Sequence, residues 1–357
     1  MKPGIVIVSY LFHPEVQIGA RRWSRYAFRL AELGHPVTVI TRSFAGRQTY
    51  EVDGVSIIEF ESNYPEVLNT IPKTILQKLN YRFQHYKRLR ATKGSPFDRT
   101  ETQLQQIVKL VNKALDRTKA KNLIITGAPF SLLSLGAEIL ANRPELRYFA
   151  DLRDPWTWGH IHGMPGLDEK RMAVEKEREK HMVSSANKVL VPVEDMANQL
   201  RELYPEEKDK IQLLPHSYDE REIARRQVIP TTATRWIYAG TLLLHIDDQL
   251  HALCRFMVEH PQIVWDIYTY RPLHQELINS YGLEDRIRFH EAISPSALFN
   301  KMLEYDCFVC PWPDYAKEYL STKFIEIFAT KTPLLFLGND GAVSQYVLKN
   351  KLGAVIY

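Results

Sequence analysis

The stretch Lys317–Gly338, KEYLSTKFIEIFATKTPLLFLG, decides how this chain reads. Its middle reads as a helix starting around Ser321 and giving way at Lys331–Thr332–Pro333 to the apolar strand PLLFL. Just upstream, CPWPDY carries two prolines that keep the chain extended, so the run is not one continuous helix. Glu318 then sits in the loop feeding the helix, Lys323 in its first turn, and Glu326 inside it, eight residues after Glu318. The loop follows a candidate strand, Asp306–Cys310. In open α/β sheets, the carboxyl end of a strand leading into a helix N-terminus is where phosphorylated ligands bind. The plainer alternative is a pair of solvated glutamates on one helix face.

Outward from this stretch, short apolar runs alternate with amphipathic segments, the signature of parallel βα units. Candidate strands in the first half are Ile5–Ser9, Val37–Thr41, Val55–Phe60, Leu123–Thr126, Arg147–Asp151, Lys188–Val191 and Ile211–Leu214. The second half repeats the scheme with Trp236–Ala239, Val264–Tyr268, Ile287–His290, Cys307–Cys310, Leu334–Leu337 and Ala354–Ile356. Between them, Arg225–Thr234 (RRQVIPTTAT) has no period and reads as a linker. The expectation is two doubly wound, parallel-sheet α/β domains of Rossmann-like type, 1–224 and 235–357, facing each other across a cleft.

Composition agrees. A chain of 357 residues exceeds one ordinary core, and 45% hydrophobic with 25% charged residues is globular usage. No window reaches the ~18 uninterrupted apolar residues of a membrane helix, and MKPGIVIVSYLFHPE is too short and too soon acidic for a signal peptide. Three cysteines argue against a disulfide framework and for a reducing compartment, hence a cytoplasmic protein. Cys307 and Cys310 lie in DCFVCPW, which reads as a buried strand and not as a zinc or redox pair. His160 and His162 lack further ligands at metal spacing, so no metal is expected. A net charge of +4 is too small to imply nucleic acid.

Several segments, in order, resemble retaining glycosyltransferases of the two-domain GT-B fold, chiefly family 4, of the kind that assembles bacterial polysaccharides and glycoconjugates. Lys317–Gly338 resembles that family's Glu-x7-Glu element. IVIVSYLFHPEVQIGARRWSRYAFRLAELGHPVTVIT, from Ile5, is similar to its first strand, glycine loop, long helix and second strand. IQLLPHSYD stands where the family has a segment before its second domain, WIYAGTL resembles the strand opening that domain, and ADLRDPW resembles a "D-x-RD-x-W" segment. The resemblance departs at the end: the family continues into helices, the last crossing back onto the first domain, whereas here the sequence stops on a strand, as in a truncated chain or a short member.

The resemblance implies a nucleotide sugar as co-substrate, no cofactor, and these site residues. Glu318 would take sugar hydroxyls, Lys323 the diphosphate and Glu326 the ribose diol. Gly240 and Thr241 would add backbone and hydroxyl donors, and Arg271, after the strand WDIYTY, a second cation. Gly19, where the family often has two glycines, lets a backbone approach the donor diphosphate or the acceptor, and Arg21 and Arg22, which follow it, are candidates to clamp phosphate or are ordinary surface arginines of a helix start. In ADLRDPWTW, Asp151 and Asp154 are candidates to hold or deprotonate an acceptor hydroxyl, and Arg153 to pair with an acceptor phosphate or orient Asp154. Trp156 and Trp158 would stack on sugar rings or anchor a lid; the alternative is a capped helix start with a structural Asp–Arg pair. His216, in LLPHSYD, suits packing or binding equally.

From Val67 to Lys93 the chain carries no acid. Leu68, Ile71, Ile75, Leu79, Phe83, Tyr86 and Leu89 step at helical spacing, with Lys73, Lys78, Arg82, Lys87, Arg88, Arg90 and Lys93 among them. A basic amphipathic helix suits an anionic membrane surface; alternatively, the stripe packs on its own domain. The function expected is sugar transfer from a nucleotide sugar to a saccharide or lipid-linked hydroxyl, with retention. No D-x-D motif sits at a strand end, which fits a metal-independent mechanism. The alternatives are a GT-B-shaped epimerase or phosphorylase, and a non-catalytic GT-B-like partner subunit.

Overall fold

The computed structural model describes residues 2–15, 18–44, 46, 48–159, 166–223, 234–317, 320 and 322–357, with backbone alone at 18, 222, 295, 296, 322 and 323. Contacts divide the chain into two compact units, Met1–Pro215 and His216–Tyr357. The linker read at Arg225–Thr234 falls almost wholly outside the described residues.

In chain order the first unit comprises β1 (Ile5–Val8), α1 (Ile18–Glu32), β2 (Val37–Arg42), β3 (Thr49–Val52), β4 (Val55–Phe60), α2 (Ile75–Ala91) and α3 (Leu104–Thr118). It continues with β5 (Asn122–Gly127), α4 (Ser134–Asn142), β6 (Arg147–Leu152), α5 (Glu169–Ser185), β7 (Lys188–Val191), α6 (Glu194–Leu203) and β8 (Ile211–Leu213). The strands form one eight-stranded sheet in the order β3-β4-β2-β1-β5-β6-β7-β8. All its pairings are parallel except β3 with β4.

Alternation along β1 shows why the sheet needs helices on both faces. Val6 and Val8 join the core with Ile107 and Val111 of α3, whereas Ile5 and Ile7 join Trp23 and Ala27 of α1. A strand buried on both sides reads as an unbroken apolar run, as IVIV does.

The second unit comprises β9 (Thr234–Ala239), α7 (Asp247–Glu259), β10 (Ile263–Thr269), α8 (Gln275–Asn279), β11 (Ile287–Glu291), α9 (Pro295–Met302) and β12 (Cys307–Pro311), then α10 (Thr322–Thr330), β13 (Leu334–Leu337), α11 (Ala342–Lys349) and β14 (Gly353–Ile356). Its six-stranded parallel sheet runs β11-β10-β9-β12-β13-β14. Cys307 and Cys310 lie on β12 as free thiols, and burial pushes the Cys307 thiol up to about 11.

Every strand read from the sequence is present, but β3 was missed. It pairs antiparallel with β4 across the two-residue turn Asp53–Gly54, in which both residues have positive φ (49° and 77°). Asp-Gly supplies that left-handed pair at low steric cost and fits the twist of a hairpin. The segment Val67–Lys93 is also not one helix. A 3₁₀ turn, Glu66–Asn69, is followed by a break, and α2 starts only after Thr74, whose hydroxyl caps it in a capping box with Gln77. Pro72 in the break accounts for the interruption.

Candidate functional site

Each sheet reverses its strand order once, and each reversal opens a crevice at the carboxyl ends of two strands. In the first unit the reversal lies between β1 and β5; in the second it lies between β9 and β12.

In the first unit, the first turn of α1 and the chain at and just past the end of β5 meet on Arg153, in the loop after β6. Its Nε donates to the carbonyl of Gly127 at 2.8 Å, Nη1 to that of Gly19 at 2.7 Å, and Nη2 to that of Ala128 at 2.5 Å. One guanidinium thereby bridges the start of α1 and the end of β5, on the two sides of the switch point. The close approach explains Gly19, because a Cβ there would lie 2.5 Å from Arg153 Nη1 and 3.0 Å from Leu11 Cδ1. Burial lowers the affinity of Arg153 for its proton, while Asp154 and Asp151 favour the charged form.

Asp151 does not face the crevice. It is completely buried, and it accepts from Arg22 Nη2 at 2.7 Å, Trp23 Nε1 at 2.7 Å and Thr126 Oγ1 at 2.7 Å. Burial alone would raise its pKa; the Arg22 guanidinium and these hydrogen bonds outweigh it and hold the carboxyl below its usual range. Arg22 also donates to the carbonyls of Leu214 and Pro215, so it is a buried strut, not a phosphate clamp. Asp154, half-exposed in the same loop, is the carboxylate of ADLRDPW left open to a ligand.

Trp156 is an anchor rather than a sugar platform, and half-buried Trp158 is tied to the same helix, α5. Trp156 is fully buried, stacks on Phe130 with ring centroids 5.4 Å apart, and donates to Glu175 at 3.0 Å. Trp158 donates to Glu179 at 2.9 Å, and Thr157 binds the same carboxylate through its backbone N–H and its hydroxyl. Glu175 and Glu179 lie buried on α5 with Arg171, and Arg178 reaches both Glu175 and Glu101. The sequence reading missed this framework. Arg178 and Glu179 follow Glu175 by three and four residues, and Arg171 precedes it by four, but a search for apolar periodicity passes over charged positions. His160 and His162 lie outside the described residues.

In the second unit, the loops after β9 and β12 meet where the rings of His245 and Tyr315 contact edge-on at 6.1 Å. Gln249 Nε2 donates to the carbonyl of Trp312 at 3.3 Å across the same switch point. The β12 loop is braced from behind: Asn339 donates to Asp314 at 2.9 Å, and Val343 N–H to the carbonyl of Lys317 at 3.0 Å. From this braced loop the chain enters α10, with Lys323 at its second position and Glu326, partly exposed, in its middle. Glu318 lies outside the described residues, as does the side chain of Lys323.

The backbone N–H of Gly240 was expected to serve a ligand, but it donates to the carbonyl of Tyr268 at 2.8 Å. What Gly240 supplies instead is its positive φ of 114°, which turns the chain off β9. Thr241 is half-exposed, and its carbonyl accepts from Tyr238. Arg271 stands exposed just past the end of β10, its backbone N–H held by Thr269 Oγ1 at 3.1 Å. Thr241, Lys323 and Glu326 therefore lie on the elements flanking the β9–β12 switch point, with Arg271 on the neighbouring strand end.

No protein-family model matches this chain, and no curated protein sequence matches it. Solved structures do. Sucrose-phosphate synthase from Thermosynechococcus elongatus superposes with a TM-score of 0.64 at 15% identity, over 99% of this chain and 86% of that one. A glycosyltransferase from Rickettsia africae gives 0.60 at 15% identity, over 96% and 81%. The catalytic domain of starch synthase IV from Arabidopsis thaliana, bound to ADP and acarbose, gives 0.57 at 10% identity, over 96% and 84%. The class this defines is one of fold: two parallel-sheet α/β domains of the GT-B type, as in these glycosyltransferases.

Proposed function

We propose that this chain is a nucleotide-sugar-dependent glycosyltransferase that moves a sugar, with retention, onto a hydroxyl of a saccharide or lipid-linked acceptor. One observation carries the reading: Glu326 and the N-terminus of α10 stand at the β9–β12 switch point, where a doubly wound sheet takes phosphorylated ligands. Starch synthase IV, which shares the fold, was solved with ADP bound.

In this reading Glu326 accepts the ribose diol, and Lys323 with the α10 N-terminus meets the diphosphate. Arg271 and Thr241 line the same opening, and Glu318 takes hydroxyls of the transferred sugar. The acceptor hydroxyl belongs near Asp154, in the loop whose shape Arg153 and Gly19 fix, and Asp151 positions that loop from behind through Arg22. The bond broken joins the anomeric carbon to the distal phosphate oxygen. The bond formed joins that carbon to the acceptor oxygen, whose proton passes to the departing phosphate. Charge on the leaving group is met by Lys323 and backbone dipoles. Function in polysaccharide or glycoconjugate assembly on the cytoplasmic side follows from the same reading.

The test is thermal stability with UDP, GDP and ADP, followed by a nucleotide-sugar hydrolysis screen. A ligand at 100 times its dissociation constant adds ~2.7 kcal/mol, whereas a non-binding scaffold subunit shows no shift with any nucleotide. Glu326→Ala should then weaken the nucleotide that binds by about tenfold, as expected for losing a hydrogen bond to a charged group. Unchanged affinity would remove Glu326 from the donor site.

A further inference from the structure

Helix α2 is built inside out. With about 3.6 residues per turn, Tyr81, Gln84, His85, Arg88 and Thr92 fall on one side of it, and Ile75, Leu79, Phe83 and Tyr86 on the opposite side. In an ordinary surface helix the apolar side would face the domain. Here the polar side does. Arg88 is buried: its Nη2 donates to the carbonyl of Asp98 at 2.7 Å, its Nη1 to Thr102 Oγ1 at 2.8 Å, and its guanidinium lies 5.0 Å from the ring centre of Tyr64. Thr92 is buried beside it, and His85 packs against Phe97.

The apolar side is left in solvent. Ile75 is 78% exposed, Leu76 79%, Leu79 57% and Phe83 63%, and Ile71, in the break before the helix, is exposed as well. A soluble chain rarely carries so continuous an apolar face without a use for it. Its borders are cationic. Lys78 and Arg82 run along one edge and Lys87 along the other, all exposed, Lys73 is exposed just before the helix, and Arg90, within the stripe near its C-terminal end, stacks over exposed Tyr86 at 5.0 Å. No acidic residue occurs from Val67 to Lys93.

We infer that α2 docks this protein on the surface of an anionic lipid bilayer. The apolar stripe enters the boundary between headgroups and acyl chains while the flanking lysines and arginines meet lipid phosphates. Charge selects this occupant over a second copy of the chain, since two copies meeting through α2 would oppose like-charged borders. The helix is too short and too charged to cross a membrane; among the described residues no helix is long and apolar enough to do so. The Arg88 anchor holds the outward face, so the surface is formed before any lipid arrives.

The inference does not depend on the donor site, because vesicle binding is read without nucleotide. Cosedimentation with phosphatidylcholine vesicles is compared with vesicles also containing phosphatidylglycerol. Binding is expected only to the anionic set, with release as salt rises. Each basic residue near such a surface contributes about fivefold, so Lys78→Glu/Arg82→Glu/Lys87→Glu should lower partitioning by about a hundredfold or more. Leu79→Gln/Phe83→Gln should abolish binding at low salt while leaving circular dichroism and Tm unchanged, since both side chains are exposed. A Phe83→Trp variant should shift its emission to the blue on anionic vesicles and be quenched by brominated lipid. Three results overturn the inference: equal recovery with both vesicle types, binding that survives both sets of substitutions, or sedimentation showing that Leu79→Gln/Phe83→Gln turns a dimer into a monomer.

Discussion

Arg22 Nη2 lies 2.7 Å from Asp151 Oδ1, and both side chains are wholly excluded from solvent. The pair joins α1 to the end of β6, and it takes the carboxylate that the sequence offered as an acid–base group out of reach of a substrate. Asp151→Ala should leave Arg22 buried and unpaired, at a cost of about 3–5 kcal/mol in a urea titration. The pH dependence has a definite sign. Asp151 has a depressed folded pKa, so its contribution is present above the unfolded value of about 3.9 and is lost as pH falls through the folded one. Asp151→Asn should flatten the acid limb of the stability curve. If Asp151→Asn instead lowered kcat at unchanged stability and acid sensitivity, Asp151 would be a catalytic group after all.

Trp156 tests the same division between scaffold and site. Its ring is completely buried against Phe130, so Trp156→Ala should cost about 3–5 kcal/mol. Trp156→Phe keeps an aromatic ring against Phe130, loses the donor to Glu175 and part of the buried ring volume, and should fall below that cost. In either variant, folded protein should keep the acceptor KM of the parent. A raised KM with intact stability would return Trp156 to the sugar subsite.

The alternating architecture was legible because parallel strands buried on both faces leave unbroken apolar runs such as IVIV and CFVC. The hairpin at Asp53–Gly54 was missed, because Thr49–Val52 is an edge strand with an exposed face and no apolar run to announce it; its Asp-Gly turn was the one available signal. In ADLRDPWTW the reading gave both Asp151 and Trp156 to a ligand, and both are buried. Sequence shows that two acids, an arginine and two tryptophans stand together; only packing shows that Asp151 and Trp156 turn inward. Helix α2 illustrates a different limit. Its period gives the stripe, yet the direction the stripe faces is fixed by the Arg88 contacts with Asp98 and Thr102, which spacing cannot reveal.

Gly19 and Arg153 should behave as one unit. A methyl at position 19 falls 2.5 Å from Nη1, so Gly19→Ala must displace the guanidinium from the carbonyls it bridges. Overpacking of this kind costs about 1–3 kcal/mol. Because Arg153→Ala removes the atom that is crowded, the double variant should be less unstable than the sum of the singles. A coupling of about 0.5–3 kcal/mol in a double-mutant cycle is expected. Strict additivity would mean that Gly19 is required for some other contact.

Glu179 should give the opposite pH signature to Asp151. It is completely buried, and the donors that meet it from Thr157 and Trp158 are neutral. Burial raises its pKa, and these hydrogen bonds only partly offset the effect. A carboxyl with a raised folded pKa contributes stability that is fully present below its unfolded value, about 4.3, and is lost as pH rises through the folded value. Glu179→Gln cannot ionise. In acid the parent is a neutral carboxylic acid, and the bulkier amide NH2 stands where its single O–H was, so the variant starts from a lower baseline in acid. Its deficit should shrink as pH rises, because only the parent is then losing stability. Tm measured for both proteins from about pH 4 to about pH 8 separates the cases. Parallel curves would mean that Glu179 stays protonated throughout, or ionises without cost, and the loop after β6 would owe nothing to its charge.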